Sequence, residues 1–104
     1  MRGYKPVNYA DRARQNYVGG ELGDKKVVDV VCGYKHTAAL TDDGKVYTWG
    51  AGKEGELGHG DTEEVELPKL VEVLKEKKVV KLGAGNGFTI ALTDGGELFS
   101  WGAN

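Results

Sequence analysis

Residues 33–52 and 85–104 carry nearly the same text, 52 positions apart. Gly33-Tyr-Lys-His-Thr-Ala-Ala-Leu-Thr-Asp-Asp-Gly-Lys-Val-Tyr-Thr-Trp-Gly-Ala-Gly52 returns as Gly85-Asn-Gly-Phe-Thr-Ile-Ala-Leu-Thr-Asp-Gly-Gly-Glu-Leu-Phe-Ser-Trp-Gly-Ala-Asn104. Ten of the twenty positions are identical, and pairs such as Val46/Leu98, Tyr47/Phe99 and Thr48/Ser100 keep their character. A self-similar period near 50 residues belongs to propellers, solenoids and arrays, whose units bury their apolar faces on one another. It also poses a problem of number, because two units are too few to close a ring.

Within each copy the pattern reads strand, turn, strand. Val27–Cys32 is β-branched and runs into Gly33, as a buried strand does. His36–Thr41 is built of small residues suited to a crowded sheet centre. Asp42-Asp43-Gly44 predicts a tight two-residue hairpin turn, since Asp-Gly supplies positive φ. Lys45–Trp49 closes the hairpin, with Val46 and Thr48 on one face and Tyr47 and Trp49 on the other. The second copy repeats these elements as Val79–Leu82, Phe88–Thr93, the Asp94-Gly95-Gly96 turn and Glu97–Trp101. The 17 glycines among 104 residues exceed the usual share of about 7% and fall at fixed places, so they punctuate turns and are not linker.

Between the copies, Val65–Leu74 is ambiguous. Leu67, Leu70, Val71 and Leu74 form a helical stripe with Pro68 in the first turn. Leu67, Val71 and Val73 equally alternate on a strand whose Pro68 marks an edge. Residues 1–24 do not align at the 52-residue offset; Asn8 caps a possible short helix with Tyr9, Ala13 and Tyr17 on one face. Gly20-Glu-Leu-Gly-Asp24 echoes Gly55-Glu-Leu-Gly58 but runs into Val27 with no room for an outer strand. The first copy is therefore expected to be abbreviated. The domain reading is a non-repeat segment 1–24, a first repeat 25–76, and a second repeat 77–104 that stops after its Trp-Gly.

Composition excludes several classes. The net charge of −2 argues against a general nucleic-acid binder, although Arg2, Lys5, Arg12 and Arg14 against Asp11 give the first twenty residues a local charge of +3 (4 − 1). The lone Cys32 has no internal partner, which points to a reducing, intracellular setting, cytoplasmic or nuclear, with the basic start leaving a mitochondrial one open. No apolar run reaches the ~18 residues of a membrane span.

Catalytic and metal chemistry finds little support. Cys32-x-x-x-His36 with His59 has zinc-like residue types, yet Cys32 corresponds to Ala84 and His36 to Phe88 in the second copy, and three His/Cys fall short of four soft ligands. Gly50-Ala-Gly-Lys-Glu-Gly55 matches a dinucleotide fingerprint but is followed by no helix start. Asp42-Asp43, Glu54, Glu56 and Glu63-Glu64 fall in turns and loops where solvated carboxylates are the norm. No nucleophile set stands out, and no cofactor is expected. Tyr47/Trp49 and Phe99/Trp101 recur at equivalent positions, which favours packing between units over a stacking platform.

At Gly33, His36, Leu40, Gly44, Trp49 and Gly50 the chain resembles the repeats of the regulator of chromosome condensation (RCC1) family. The resemblance continues through Gly55, Leu57, Gly58, Gly60, Asp61 and Pro68, and returns at Gly85, Leu92, Gly96, Trp101 and Gly102; it covers about residues 25–104. It implies an all-β chain: four-stranded antiparallel blades of a β-propeller, about two of them here, in a ring that seven blades close. It also implies that Leu67–Val73 is the outer strand, that Gly50, Gly55, Gly58 and Gly60 turn the chain where blades meet, and that Asp61 accepts backbone N–H bonds in that loop.

Loop residues that differ between copies are the expected partner contacts: Tyr34, Lys35, Lys53, Glu54, His59 and Asn86. The function so implied is a protein–protein interaction module, completed by other protein chains or by copies of itself. Nucleotide exchange on a small GTPase and a chromatin-associated adaptor are the alternatives.

Overall fold

A computed structural model describes residues 19–103; the helix expected around Asn8–Tyr17 lies outside them. The described residues form two antiparallel sheets. The first holds β1 (Val27–Cys32), β2 (His36–Thr41), β3 (Val46–Gly50) and β4 (Val65–Leu70) in sequential order. The second holds β5 (Val79–Gly85), β6 (Phe88–Thr93) and β7 (Leu98–Gly102). Two single 3-10 turns, η1 (Gly20–Leu22) and η2 (Glu72–Leu74), each lead into the first strand of a sheet. No helix among the described residues is long and apolar enough to cross a membrane.

The sequence repeat is a repeat of hydrogen bonds. Cys32 faces Thr37 as Ala84 faces Thr89, and Leu40 faces Val46 as Leu92 faces Leu98. The register irregularity at Val27/Asp29 recurs at Val79/Lys81. Ala51 N–H donates to the Lys35 carbonyl, and Ala103 N–H to that of Gly87.

The hairpin departs from the expected two-residue turn. Gly44 N–H donates to the Thr41 carbonyl and Thr41 N–H to that of Lys45, enclosing three residues, and only Gly44 has positive φ (82°). This is a type I turn followed by a left-handed glycine; a two-residue I′ turn would force Asp43 to positive φ as well. Gly96 at 85° closes the second hairpin in the same way.

The ambiguous segment is both things in succession. β4 pairs with β3, Thr48 opposite Lys69, and stops at Leu70; Val71 is extended and η2 then makes one turn. Pro68 fits because its missing N–H points away from β3. The Leu70 N–H on that same side leaves the sheet and donates to Glu21 Oε1 at 2.9 Å. The first sheet thus has all four strands, which corrects the expectation of an abbreviated first copy. η1 and η2 are themselves 52 residues apart, each ending on a buried leucine, Leu22 and Leu74. The correspondence therefore reaches back to Gly20, and Gly20–Leu22 matches Glu72–Leu74 in place of Gly55–Leu57.

The core lies between the sheets. Ala38, Leu40 and Val46 of the first sheet meet Val79, Leu82 and Ala91 of the second, with Val71 and Leu74 from the connection wedged among them. Leu74→Ala is expected to lower the unfolding free energy by about 2–4 kcal/mol in a urea titration, the cost of a cavity in a packed core. Leu98→Ala, at the solvent-exposed end of β7, is expected to change it by less than about 0.5 kcal/mol.

Candidate functional site

The seam between the sheets is held by a loop with no regular structure. After Trp49-Gly50 the chain leaves the first sheet and lays Gly55–Gly58 against the second. Gly55 and Gly58 have φ of 80° and 77°. A Cβ on Gly58 would stand 2.7 Å from Trp101 Nε1, so the backbone there rests on the indole and glycine is required.

Two threonines, one from each sheet, grip successive carbonyls of this loop. Thr89 Oγ1 donates to the Glu56 carbonyl and Thr48 Oγ1 to the Leu57 carbonyl, both at 2.7 Å. A carbonyl only accepts, so each hydroxyl proton is committed. Whatever else meets those oxygens must donate. His36 Nε2 lies 2.8 Å from Thr89 Oγ1 and His59 Nε2 lies 2.9 Å from Thr48 Oγ1. Both imidazoles therefore carry their proton on Nε2, and both Nδ1 atoms are buried without a partner.

The geometry changes how several sequence candidates read. His59 is turned into the seam, so it is not offered to a partner as a loop residue would be. Glu56 is buried and its carboxylate accepts the Glu54 N–H at 2.8 Å, so it is not one of the solvated loop acids. Tyr34, Lys35, Lys53, Glu54 and Asn86 are exposed, with Lys35 Nζ 5.6 Å from the Tyr34 ring centre. Gly50, Gly60 and Gly102 have positive φ, and Asp61 Oδ1 accepts the Glu63 N–H at 3.1 Å. Gly33 and Gly85 have the His36 and Phe88 rings laid over them, so a Cβ at either would collide with the ring. Leu40 and Leu57 are buried, Pro68 is fully so, and Leu92 and Trp49 are half-buried. Trp101 packs against the core cluster. Cys32 is exposed at the end of β1, whereas His36 is buried. The paired threonine–histidine links were missed in sequence; the recurrence of Thr37/Thr89 and Thr48/Ser100 was the available signal.

Meandering antiparallel sheets, packed face to face with each connecting loop given to the next sheet, are blades of a β-propeller. Two family models of the regulator of chromosome condensation (RCC1) repeat match, one over residues 43–92 and the other over 27–56. The chain belongs to the RCC1-repeat family. It is 49% identical over 84 residues to the human E3 ubiquitin-protein ligase HERC2, covering 81% of this chain and 2% of the ligase. Among solved structures, human WBSCR16 superposes with a TM-score of 0.73 at 34% identity, covering 76% of this chain and 20% of that one. Prp20p of Saccharomyces cerevisiae gives 0.61 at 29% identity, covering 73% and 19%. The chain thus spans a fifth or less of these proteins' lengths.

Burial lowers the pKa of both seam histidines below 6.5. The Glu56 charge and the Phe88 backbone oppose it at His36; at His59, Lys69 adds to it, while the Thr48 backbone, Asp61 and Glu21 oppose it. The unfolded chain therefore binds protons near pH 6.5 that the folded chain refuses, and stability falls as pH drops through that value. Urea unfolding between about pH 7.5 and about pH 5.5 is expected to show this loss. His36→Phe, the residue the second repeat uses, is expected to reduce it.

Proposed function

We propose that this chain is a protein–protein interaction module, a partial RCC1-type propeller that docks within a larger assembly or associates with itself through its two outer faces. One comparison carries the reading. Leu98 is 68% exposed, whereas Val46, its equivalent in the first repeat, is 1% exposed beneath the second blade. On the opposite side Val30 is 51% exposed, whereas its equivalent Leu82 is 7% exposed. The chain thus displays, on its two outer surfaces, both halves of a contact that it makes once internally. Aliphatic faces of this kind, beside a strand edge that has no partner among the described residues, are what association sites present.

Sedimentation across the micromolar range tests this. A mass above that of the monomer, rising with concentration, is expected, and Leu98→Asp or Val30→Asp is expected to restore the monomer. A wild-type chain that stays folded and monomeric throughout, and forms no complex with other RCC1-repeat blades, overturns the reading.

A second reading is regulation of a small GTPase. The Prp20p structure was reported together with its binding to Gsp1p and histones, and the 29% identity is what supports carrying that idea here. Nucleotide release from a panel of small GTPases separates the two: the uncatalysed rate is expected of a pure interaction module, and accelerated release establishes the second reading.

A further inference from the structure

The turns that join the first two strands of each blade occupy the same place and differ in chemistry. In the second blade Asn86 and Gly87 alone link β5 to β6, since Gly85 already pairs with Phe88. Gly87 takes a φ of 82°, and Asn86 is exposed. The first blade has Tyr34-Lys35 at these two positions, and neither of them has positive φ.

An asparagine followed by glycine carries its own reaction. Its side-chain carbonyl carbon lies one ring closure away from the next peptide nitrogen. A side chain on the following residue crowds that closure, and glycine has none. Asn8 and Asn16, by contrast, each precede a tyrosine. Among the described residues the Gly87 N–H has no backbone acceptor to hold it in place, and the exposure of Asn86 admits water.

This turn is also tied to the seam. The Gly87 carbonyl accepts the Ala103 N–H at 2.7 Å, and a Cβ on Gly87 would stand 3.4 Å from Glu54 Cγ. Two residues on lies Thr89, whose hydroxyl holds the Glu56 carbonyl. A change in the length of the turn therefore reaches the crossing loop from both sides, through Glu54 and through Thr89.

We propose that Asn86-Gly87 is a site of spontaneous deamidation, and that its isoaspartyl product loosens the second blade's grip on the Gly55–Gly58 loop. Hydroxide takes the Gly87 amide proton, the nitrogen bonds to Asn86 Cγ, and the side-chain nitrogen leaves as ammonia, giving a succinimide. Water then adds to one of its carbonyl carbons, and the bond from that carbon to nitrogen breaks. Opening at Cγ leaves an aspartyl residue. Opening at the main-chain carbonyl leaves an isoaspartyl residue, whose backbone runs on through Cβ and Cγ. Both products put a carboxylate into the turn against which Glu54 packs, but only the second adds an atom to its backbone.

The test incubates the full 104-residue chain in mildly alkaline buffer and follows it by peptide mass spectrometry. The mass gain of an NH2-to-OH exchange is expected at Asn86 at least about tenfold faster than at Asn8 or Asn16. Labelled methyl groups are expected to enter the same peptide from S-adenosylmethionine through an isoaspartate-specific methyltransferase. Asn86→Gln, whose longer side chain must close a larger ring, is expected to remove both signals. In the isoaspartyl form, hydrogen exchange at the Gly55–Gly58 amides is expected to rise at least about tenfold while β2 and β3 amides keep their rates. Asn86→Asp supplies the charge without the extra atom and is expected to leave exchange as in the unmodified chain. Modification at Asn86 only when the chain is unfolded in urea overturns the proposal. So does unchanged exchange at Gly55–Gly58 in the isoaspartyl form, or equal acceleration in Asn86→Asp.

Discussion

The grip on the Gly55–Gly58 loop is the contact on which the two blades depend. A loop crossing between sheets brings carbonyls into a place without water, and each must find a donor there. Thr48 from one blade and Thr89 from the other supply those donors to adjacent peptide units. Neither threonine has a second proton, so a neutral histidine donates to each from behind. The loop is thus fastened to both blades at once; Gly58 lets its backbone lie against Trp101, and Gly55 supplies the positive φ that the turn takes.

The links on the two carbonyls are chemically alike but come from different places. His36 reaches across the seam from β2 to Thr89, whereas His59 folds back onto Thr48 of its own blade. The second repeat puts Phe88 where the first has His36, so a ring over the preceding glycine is kept while the donor is not. The aromatic shape serves packing in both blades, and the imidazole proton serves only the seam described here.

Most of the fold was legible because its signals are local. Strand positions followed from β-branched runs bounded by glycine, and the recurrence of Tyr47/Trp49 as Phe99/Trp101 spoke for packing. The hairpin type was not, because Asp-Gly suits both a two-residue turn and a three-residue turn with a glycine bulge, and strand register decides between them. Val65–Leu74 resisted assignment because it changes from strand to 3-10 turn at Val71. Gly20-Glu21-Leu22 looked like Gly55-Glu56-Leu57 by letter and matches Glu72-Val73-Leu74 by position. The burial of Glu56 depends on a neighbouring blade and the inward turn of His59 on Thr48 of an earlier strand, and no local pattern reports either.

The seam has a direction. One side offers the loop and the His36 ring; the other offers Thr89, Trp101 and the bare backbone at Gly102. Such a surface cannot meet its own copy about a two-fold axis, so any blade added by this contact must enter with the same rotation as the last. Successive additions close into a ring when the rotations sum to a full turn and run on as a fibre when they do not. The geometry of one glycine-ended loop thereby decides between a bounded particle and an unbounded one.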